Sequence, residues 1–489
     1  MQTMSHLDGL ALAEKIRNSE VTPTKLIEEA FKKIKSENPT LNFVTSTRFS
    51  KAIEEAQVRD FSTLPFGGVP ILIKGLGQDL AGEPSTAGAK LLRNNSALTT
   101  SHFVSALEEA GFIVIGQTNT SEFGFKNITD PELYGPTSNP WNPAYSAGGS
   151  SGGAAAAVAS GTLPIAAASD GGGSIRIPAS FSGLVGLKPT RGKTPVGPGT
   201  GRNWQGAAIS FALTTSIRDT AAMLDALQVI EPSAAFQASL YEPGYLTSLG
   251  TLAKKKFRIA YSLASPVHTP VSTAAKNAVL DAVTFLKAQG HHVVEKEPDI
   301  DGIALMESYY VMNAGETAAM FKNLEKQLAR SLTIEDMELM TWTLFNAGKH
   351  ISAADYSNSL ALWDQAAEKM AAFNQEYDLY LTPTTATTAP KIAAELQTPE
   401  QIQQMKQVEK LSSTEQMQLV WDMFEKSLAL SPFTQQANLT GQPAISLPTH
   451  IAENGLPLGI HFTAPKNREE WLLEIGLAFE QARLFKMRE

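Results

Sequence analysis

The sequence has no cysteine. That absence excludes structural disulfides, thiolate-bound metal and a thiol nucleophile. Histidine is scarce: the eight, at positions 6, 102, 268, 291, 292, 350, 450 and 461, show no H-E-x-x-H or similar ligand spacing, so no metal site is expected. Long apolar runs are missing as well. The nearest, AAAAVASGTLPIAAA, is interrupted by Ser, Gly, Thr and Pro, which argues against a transmembrane helix. Positive charge is in deficit, and a net charge of -9 disfavours a nucleic-acid or anionic membrane surface as partner. Met1 to Leu12 lacks the basic start and continuous apolar core of a secretory signal, and cytoplasm is expected by default. The glycine-rich stretches lack the G-K-[ST] ending of a phosphate loop, so no nucleotide or other cofactor is expected.

What is present fits a soluble globular protein. Of 489 residues, 43% are hydrophobic, enough for a large core, and 18% are charged, enough for a wetted surface. The segment from Ala147 to Lys188 reads AGGSSGGAAAAVASGTLPIAAASDGGGSIRIPASFSGLVGLK. Ser150 and Ser174 each sit there among glycines and small residues, where packing has no need of a hydroxyl. An oxyanion on a carbonyl must be met by preorganised backbone N-H groups, and side chains beside those amides would block the approach. Gly171, Gly172 and Gly173 leave it open. Asp170 and Arg176 flank the loop with opposite charge and are expected to clamp it as a buried ion pair.

A serine hydroxyl needs a base within hydrogen-bond reach. Lys74 ends the apolar run Val69-Pro70-Ile71-Leu72-Ile73, whose length and branching suit a buried strand. Desolvation there would lower its pKa from about 10.4 toward about 7 to 8, supplying a neutral amine near physiological pH. The same letters offer a rival, since Gly148-Gly149-Ser150-Ser151-Gly152 matches the G-x-S-x-G nucleophile elbow with a histidine base. An elbow follows a buried strand, whereas here the polar, Pro-rich GPTSNPWNPAYSA precedes it. Ser151 has an ordinary use as the cap of the alanine-rich helix that starts near Ala154.

Six segments in order, namely GGVPILIK ending at Lys74, GQTNTSEFGF from Gly116, GGSSGG from Gly148, SDGGGSIRIPASFSGLVGLKPT from Ser169, DLYLTPT from Asp378 and FTQQANLTGQPAISLP from Phe433, make the chain resemble the amidase signature family. The resemblance implies an α/β fold with a mixed central β-sheet flanked by helices on both faces, and one domain over 1-489. Its parts would be N-terminal helices at 1-65, a signature core at 66-230, a variable substrate-pocket region at 231-425 and a C-terminal return at 426-489. It implies an amide hydrolase with a Ser-Ser-Lys triad. Ser174 attacks the amide carbonyl, Ser150 relays the proton to Lys74 after a cis Gly149-Ser150 bond, and the amides of Gly171, Gly172, Gly173 and Ser174 form the oxyanion hole. The sequence departs from the family in having Gly75 where an Asp often follows the lysine, and Gly171 where Thr or Ile is usual.

Within the family, GFKNITDPELYGPTSNPWNP and the run from Ser169 look most like the bacterial 6-aminohexanoate cyclic dimer hydrolases. A linear or cyclic amide of that type is the expected small-molecule partner. The alternative is the A subunit of glutamyl-tRNA amidotransferase, which shares the triad. Aromatic and small residues outside the motifs nominate Tyr134, Trp204 and Tyr310 as pocket lining, core packing being the competing reading. At the N-terminus, DGLALAEKIRNSEVTPTKLIEEAFKKIKS has helical spacing, with Thr22-Pro23 as cap and first position. Those helices are expected on the core or between two copies in a homodimer.

Overall fold

The structure is a computed structural model and describes residues 7–488; Met1 to His6, half of the stretch considered as a leader, and Glu489 lie outside the described residues. Its strands are β1 (Val44–Thr47), β2 (Pro70–Lys74), β3 (Ile113–Thr118), the hairpin β4 (Ser138–Asn139) and β5 (Asn142–Ser146), β6 (Ile165–Asp170), β7 (Val185–Lys188), β8 (Ile209–Thr214), β9 (Arg258–Tyr261), β10 (His292–Glu295), β11 (Leu379–Pro383), β12 (Ala444–Ile451) and β13 (Pro457–Thr463). The expected mixed sheet is present, with eight strands in the order β10-β9-β11-β13-β12-β7-β8-β6. Only β10, β9 and β11 run parallel to one another; the rest of that sheet is antiparallel. A separate three-stranded sheet has the order β1-β3-β2.

The two sheets meet edge to edge. β2 ends one, β6 ends the other, and they lie side by side. Gln78 bridges the seam, accepting from the Lys74 amide at 2.7 Å and donating to the Ala168 carbonyl at 2.8 Å. Edge strands leave backbone groups unpaired, and a buried amide side chain satisfies them here. Helix Gly152–Ala159 is buried on every side, and its small residues let it pack against both β2 and β6.

Helices cover both faces of the large sheet, and β13 shows how. Its alternate residues Leu458, Ile460 and Phe462 belong to opposite-facing positions from Gly459 and His461. Ile460 and Phe462 join the main apolar core with helices Thr273–Ala288 and Glu469–Gln481. On the other face the Gly459 amide donates to Ser180 of helix Arg176–Ser182, and His461 meets Arg176. A second apolar core, around Phe321, Phe345, Trp363 and Phe424, gathers helices Gly302–Leu328, Leu339–Gly348, Ala353–Glu376 and Ser413–Leu430.

The N-terminal helices form as expected. Thr22 caps helix Pro23–Leu41 by accepting from the Lys25 amide, with Pro23 in the first turn. Helix Gly9–Arg17 docks on this chain's own core, where the Gly9 and Leu10 amides donate to Asp219 at 2.6 and 3.0 Å.

Candidate active site

Lys74 is the last residue of β2, and every residue of that strand is buried. Its Nζ lies 2.8 Å from Ser150 Oγ and 3.0 Å from Ser169 Oγ across the seam. Burial brings its pKa down to about 7, against the opposing pull of the Asp170 charge. A lysine with two hydroxyl partners and a value near 7 is a neutral base at physiological pH.

Ser150 follows a cis Gly149-Ser150 bond, as the family pattern implies. Ser151 departs from its expected role. It precedes helix Gly152–Ala159 but makes no capping bond; its hydroxyl donates to the Ser169 carbonyl at 3.2 Å, and Thr129 Oγ1 takes the Gly152 amide instead at 3.0 Å. The elbow reading falls on the same geometry. The strand before Ser150, β5, is mostly exposed and pairs with β4 outside the large sheet, and the side chain at the Ser150 hydroxyl is a lysine, not a histidine. Among the described residues no group of three or more His, Asp or Glu is placed to hold a metal.

The glycine loop after β6 is held by the ion pair expected from the sequence. Arg176 grips Asp170 through two bonds of 2.9 Å, both side chains fully buried. The guanidinium is satisfied further by the Thr434 carbonyl, Asn438 Oδ1 and His461 Nε2. Burial would raise the Asp170 carboxyl, but the Arg176 charge and hydrogen bonds, with Asn438, hold it well below the usual carboxylate range. Burial and then Arg176 keep His461 neutral, so Nε2 accepts from Arg176 and Nδ1 faces Thr382 Oγ1.

One expected oxyanion donor is corrected. The Gly173 amide donates to Asp170 Oδ1 at 2.7 Å, a strong charge-assisted bond that commits it to the loop's own frame. Gly173 serves the loop by its shape instead. Its φ of +134° and the closeness of Thr434 Oγ1, 2.3 Å from where a Cβ would stand, admit no side chain. The amides of Gly171, Gly172 and Ser174 are the remaining candidates for an oxyanion.

Ser174 stands where two cavities meet. An outer cleft of about 740 Å³ is lined by Ser150, Ser169, Ser174, Asp79, Arg202 and Glu316. An inner chamber of about 70 Å³ is lined by Ser174, Met306, Tyr309, Tyr310, Phe424 and Leu428 among others. Trp204 and Phe125 border both, stacked with ring centroids 5.7 Å apart. Trp204 sits in a turn of three consecutive left-handed residues, Asn203, Trp204 and Gln205, and lies over Gly171, where a Cβ would touch its ring at 3.4 Å. Tyr310 stacks on Phe424 at 5.0 Å. Thus two of the three nominated aromatics reach the cavities. Tyr134 does not: its hydroxyl donates to Thr86 and its carbonyl accepts from Asn42, which places it in a structural turn.

Ser169 was not singled out by the sequence, although the two-residue alternation of β6 from Ala167 puts it on one face with the seam. Ser169→Ala is expected to lower kcat by about tenfold, because Lys74 loses one of two hydroxyls that orient its amine. Steady-state kinetics against wild type checks this; an unchanged kcat would make that bond idle.

The chain is similar to known proteins along most of its length. Residues 25–473 match the family model described as Amidase. The chain is 44% identical over 475 residues to a lipoamidase of Enterococcus faecalis, covering 96% of this chain and 63% of that protein, so it spans less than two thirds of that relative's length. It is 31% identical over 492 residues to a 6-aminohexanoate-cyclic-dimer hydrolase of Paenarthrobacter ureafaciens, covering 97% of this chain and 94% of that one. A solved structure of a 6-aminohexanoate cyclic dimer hydrolase superposes with a TM-score of 0.89 at 31% identity, over 98% of each chain.

Proposed function

The chain belongs to the amidase family, an amide hydrolase, and from that premise we propose that it cleaves uncharged aliphatic amides through an acyl-enzyme on Ser174. The observation that carries this reading is the buried, neutral Lys74 amine on Ser150 Oγ at the wall of the cavity that Ser174 shares. Lys74 takes the Ser150 proton as Ser150 takes that of Ser174, and Ser174 Oγ bonds to the carbonyl carbon. The oxyanion meets the Gly171, Gly172 and Ser174 amides. Collapse breaks the C–N bond, the proton returns through Ser150 to the leaving amine, and water repeats the steps to release the acid.

The cavities divide the substrate. At about 70 Å³ the inner chamber has room for a short acyl chain only. Its one lysine, Lys126, is paired with Asp130 at 2.6 Å and Glu338 at 2.7 Å, so it offers no free cation to the substrate, and the wall of Ile177, Met306 and Leu428 suits an uncharged aliphatic acyl chain. The same pairing leaves the carboxylate of glutamine without a cation and disfavours the amidotransferase alternative. The outer cleft, with Asp79, Arg202 and Glu316, takes the amine side. Lipoamide and the 6-aminohexanoate cyclic dimer, to which the names of the two relatives point, both carry uncharged aliphatic methylene chains.

The test is a panel of acetamide, hexanamide, lipoamide, the cyclic dimer and glutamine. With about 0.8 kcal/mol per buried methylene, hexanamide should exceed acetamide in kcat/KM on the order of a hundredfold. Tyr310→Ala should flatten that series, because it opens the chamber wall against Phe424. A preference for glutamine, or no dependence on chain length, would overturn the assignment.

A further inference from the structure

Two hydroxyls from outside the glycine loop hold its carbonyls. Thr434 Oγ1 donates to Gly172 O at 2.7 Å, and Tyr309 Oη donates to Gly171 O at 3.1 Å. In a trans peptide the carbonyl of one residue and the N-H of the next share a plane and point in opposite directions. A bond on the Gly172 carbonyl therefore aims the Gly173 N-H, and a bond on the Gly171 carbonyl aims the Gly172 N-H. The Gly172-Gly173 plane is pinned from both sides, since its N-H already binds Asp170. The Gly171-Gly172 plane is different: its N-H is a donor left for an oxyanion, and Tyr309 holds its carbonyl.

We infer that Tyr309 is a positioning residue for the Gly172 oxyanion donor and couples that donor to the filling of the acyl chamber. This rests on the proposed role of the Gly171 to Ser174 loop. Tyr309 comes from helix Gly302–Leu328, which also supplies Met306, Tyr310 and Asn313 to the chamber. Its ring meets Trp204 edge-on at 6.4 Å and Tyr310 at 6.0 Å. An acyl chain in the chamber therefore presses on the ring whose hydroxyl sets the donor. The fit to the loop is close: a Cβ on Gly172 would stand 2.9 Å from Tyr309 Oη. Burial, and then the Asp170 charge, push the phenol's pKa up, so the hydroxyl stays a donor throughout the working pH range. A carbonyl that accepts a hydrogen bond also polarises its own peptide, which strengthens the opposite N-H as a donor.

The experiment is Tyr309→Phe, which keeps the ring and removes one oxygen. It is expected to lower kcat by about tenfold to a hundredfold with KM within about twofold, and to flatten the rise of kcat with acyl length. The dissociation constant of an alkyl boronic acid, whose adduct on Ser174 places an oxygen in the hole, should weaken by the factor lost from kcat, while inhibition by the product carboxylate stays put. Gly172→Ala, which displaces the hydroxyl and keeps the tyrosine, should reproduce the kcat loss. Unchanged kcat, a loss carried wholly by KM, or unweakened boronate would each overturn the inference. Labelling of Ser174 by a fluorophosphonate separates the levels. Wild type labelled with Tyr309→Phe fully active overturns this inference alone, whereas wild type unlabelled at Ser174 overturns it together with the reading beneath.

Discussion

Ser174→Ala is expected to abolish amide turnover, with kcat falling on the order of a thousandfold or more while the fold is kept. The loop does not depend on that hydroxyl. Asp170 holds the Gly173 and Ile175 amides, Arg176 holds Asp170, and Thr434 holds the Gly172 carbonyl, so the variant retains the frame and loses only the attacking oxygen. The check is single-turnover and steady-state kinetics alongside a thermal melt. A variant that melts like wild type and still hydrolyses amides at more than a tenth of the normal rate would remove Ser174 from the mechanism.

Lys74→Ala should cost nearly as much, and its pH dependence carries the sign. The working form is the neutral amine, and burial brings its pKa to about 7. Below that value the lysine is protonated and the Ser150 hydroxyl has no acceptor, so kcat/KM should rise with pH, reach half its plateau near pH 7 and stay flat above. A limb at pH 4 to 5 would point to a carboxylate base instead. In Lys74→Ala the limb should vanish with the activity. Adding Ser174→Ala to Lys74→Ala should cost little more, since the groups act as one unit.

Much of this site was legible because its signals are local. Lys74 closes an apolar strand, Ser150 and Ser174 sit where only backbone is needed, and Asp170 and Arg176 flank the loop they clamp. What escaped notice came from partners far along the chain. Nothing near Gly171 names Tyr309 or Thr434, and nothing near Arg176 names Asn438 or His461. The Gly173 error has the same root, because the sequence shows four consecutive amides but not that one turns back to Asp170. Tyr134 misled because an aromatic beside a motif looks alike whether its hydroxyl faces a substrate or Thr86. The mixed sheet and its flanking helices followed from the family motifs, whereas the join between β2 and β6 runs through Gln78, an ordinary glutamine by its sequence surroundings.

The reach of the loop's clamp has a bearing on synthesis. Arg176 is satisfied by Thr434, 258 residues later, and by Asn438 after that. At roughly 5–20 residues per second on the ribosome, Ser174 emerges about ten to fifty seconds before the segment that fixes its loop. During that interval the nascent chain carries a serine in a glycine loop without its frame, and the loop is set only when the segment bearing Thr434 and Asn438 docks.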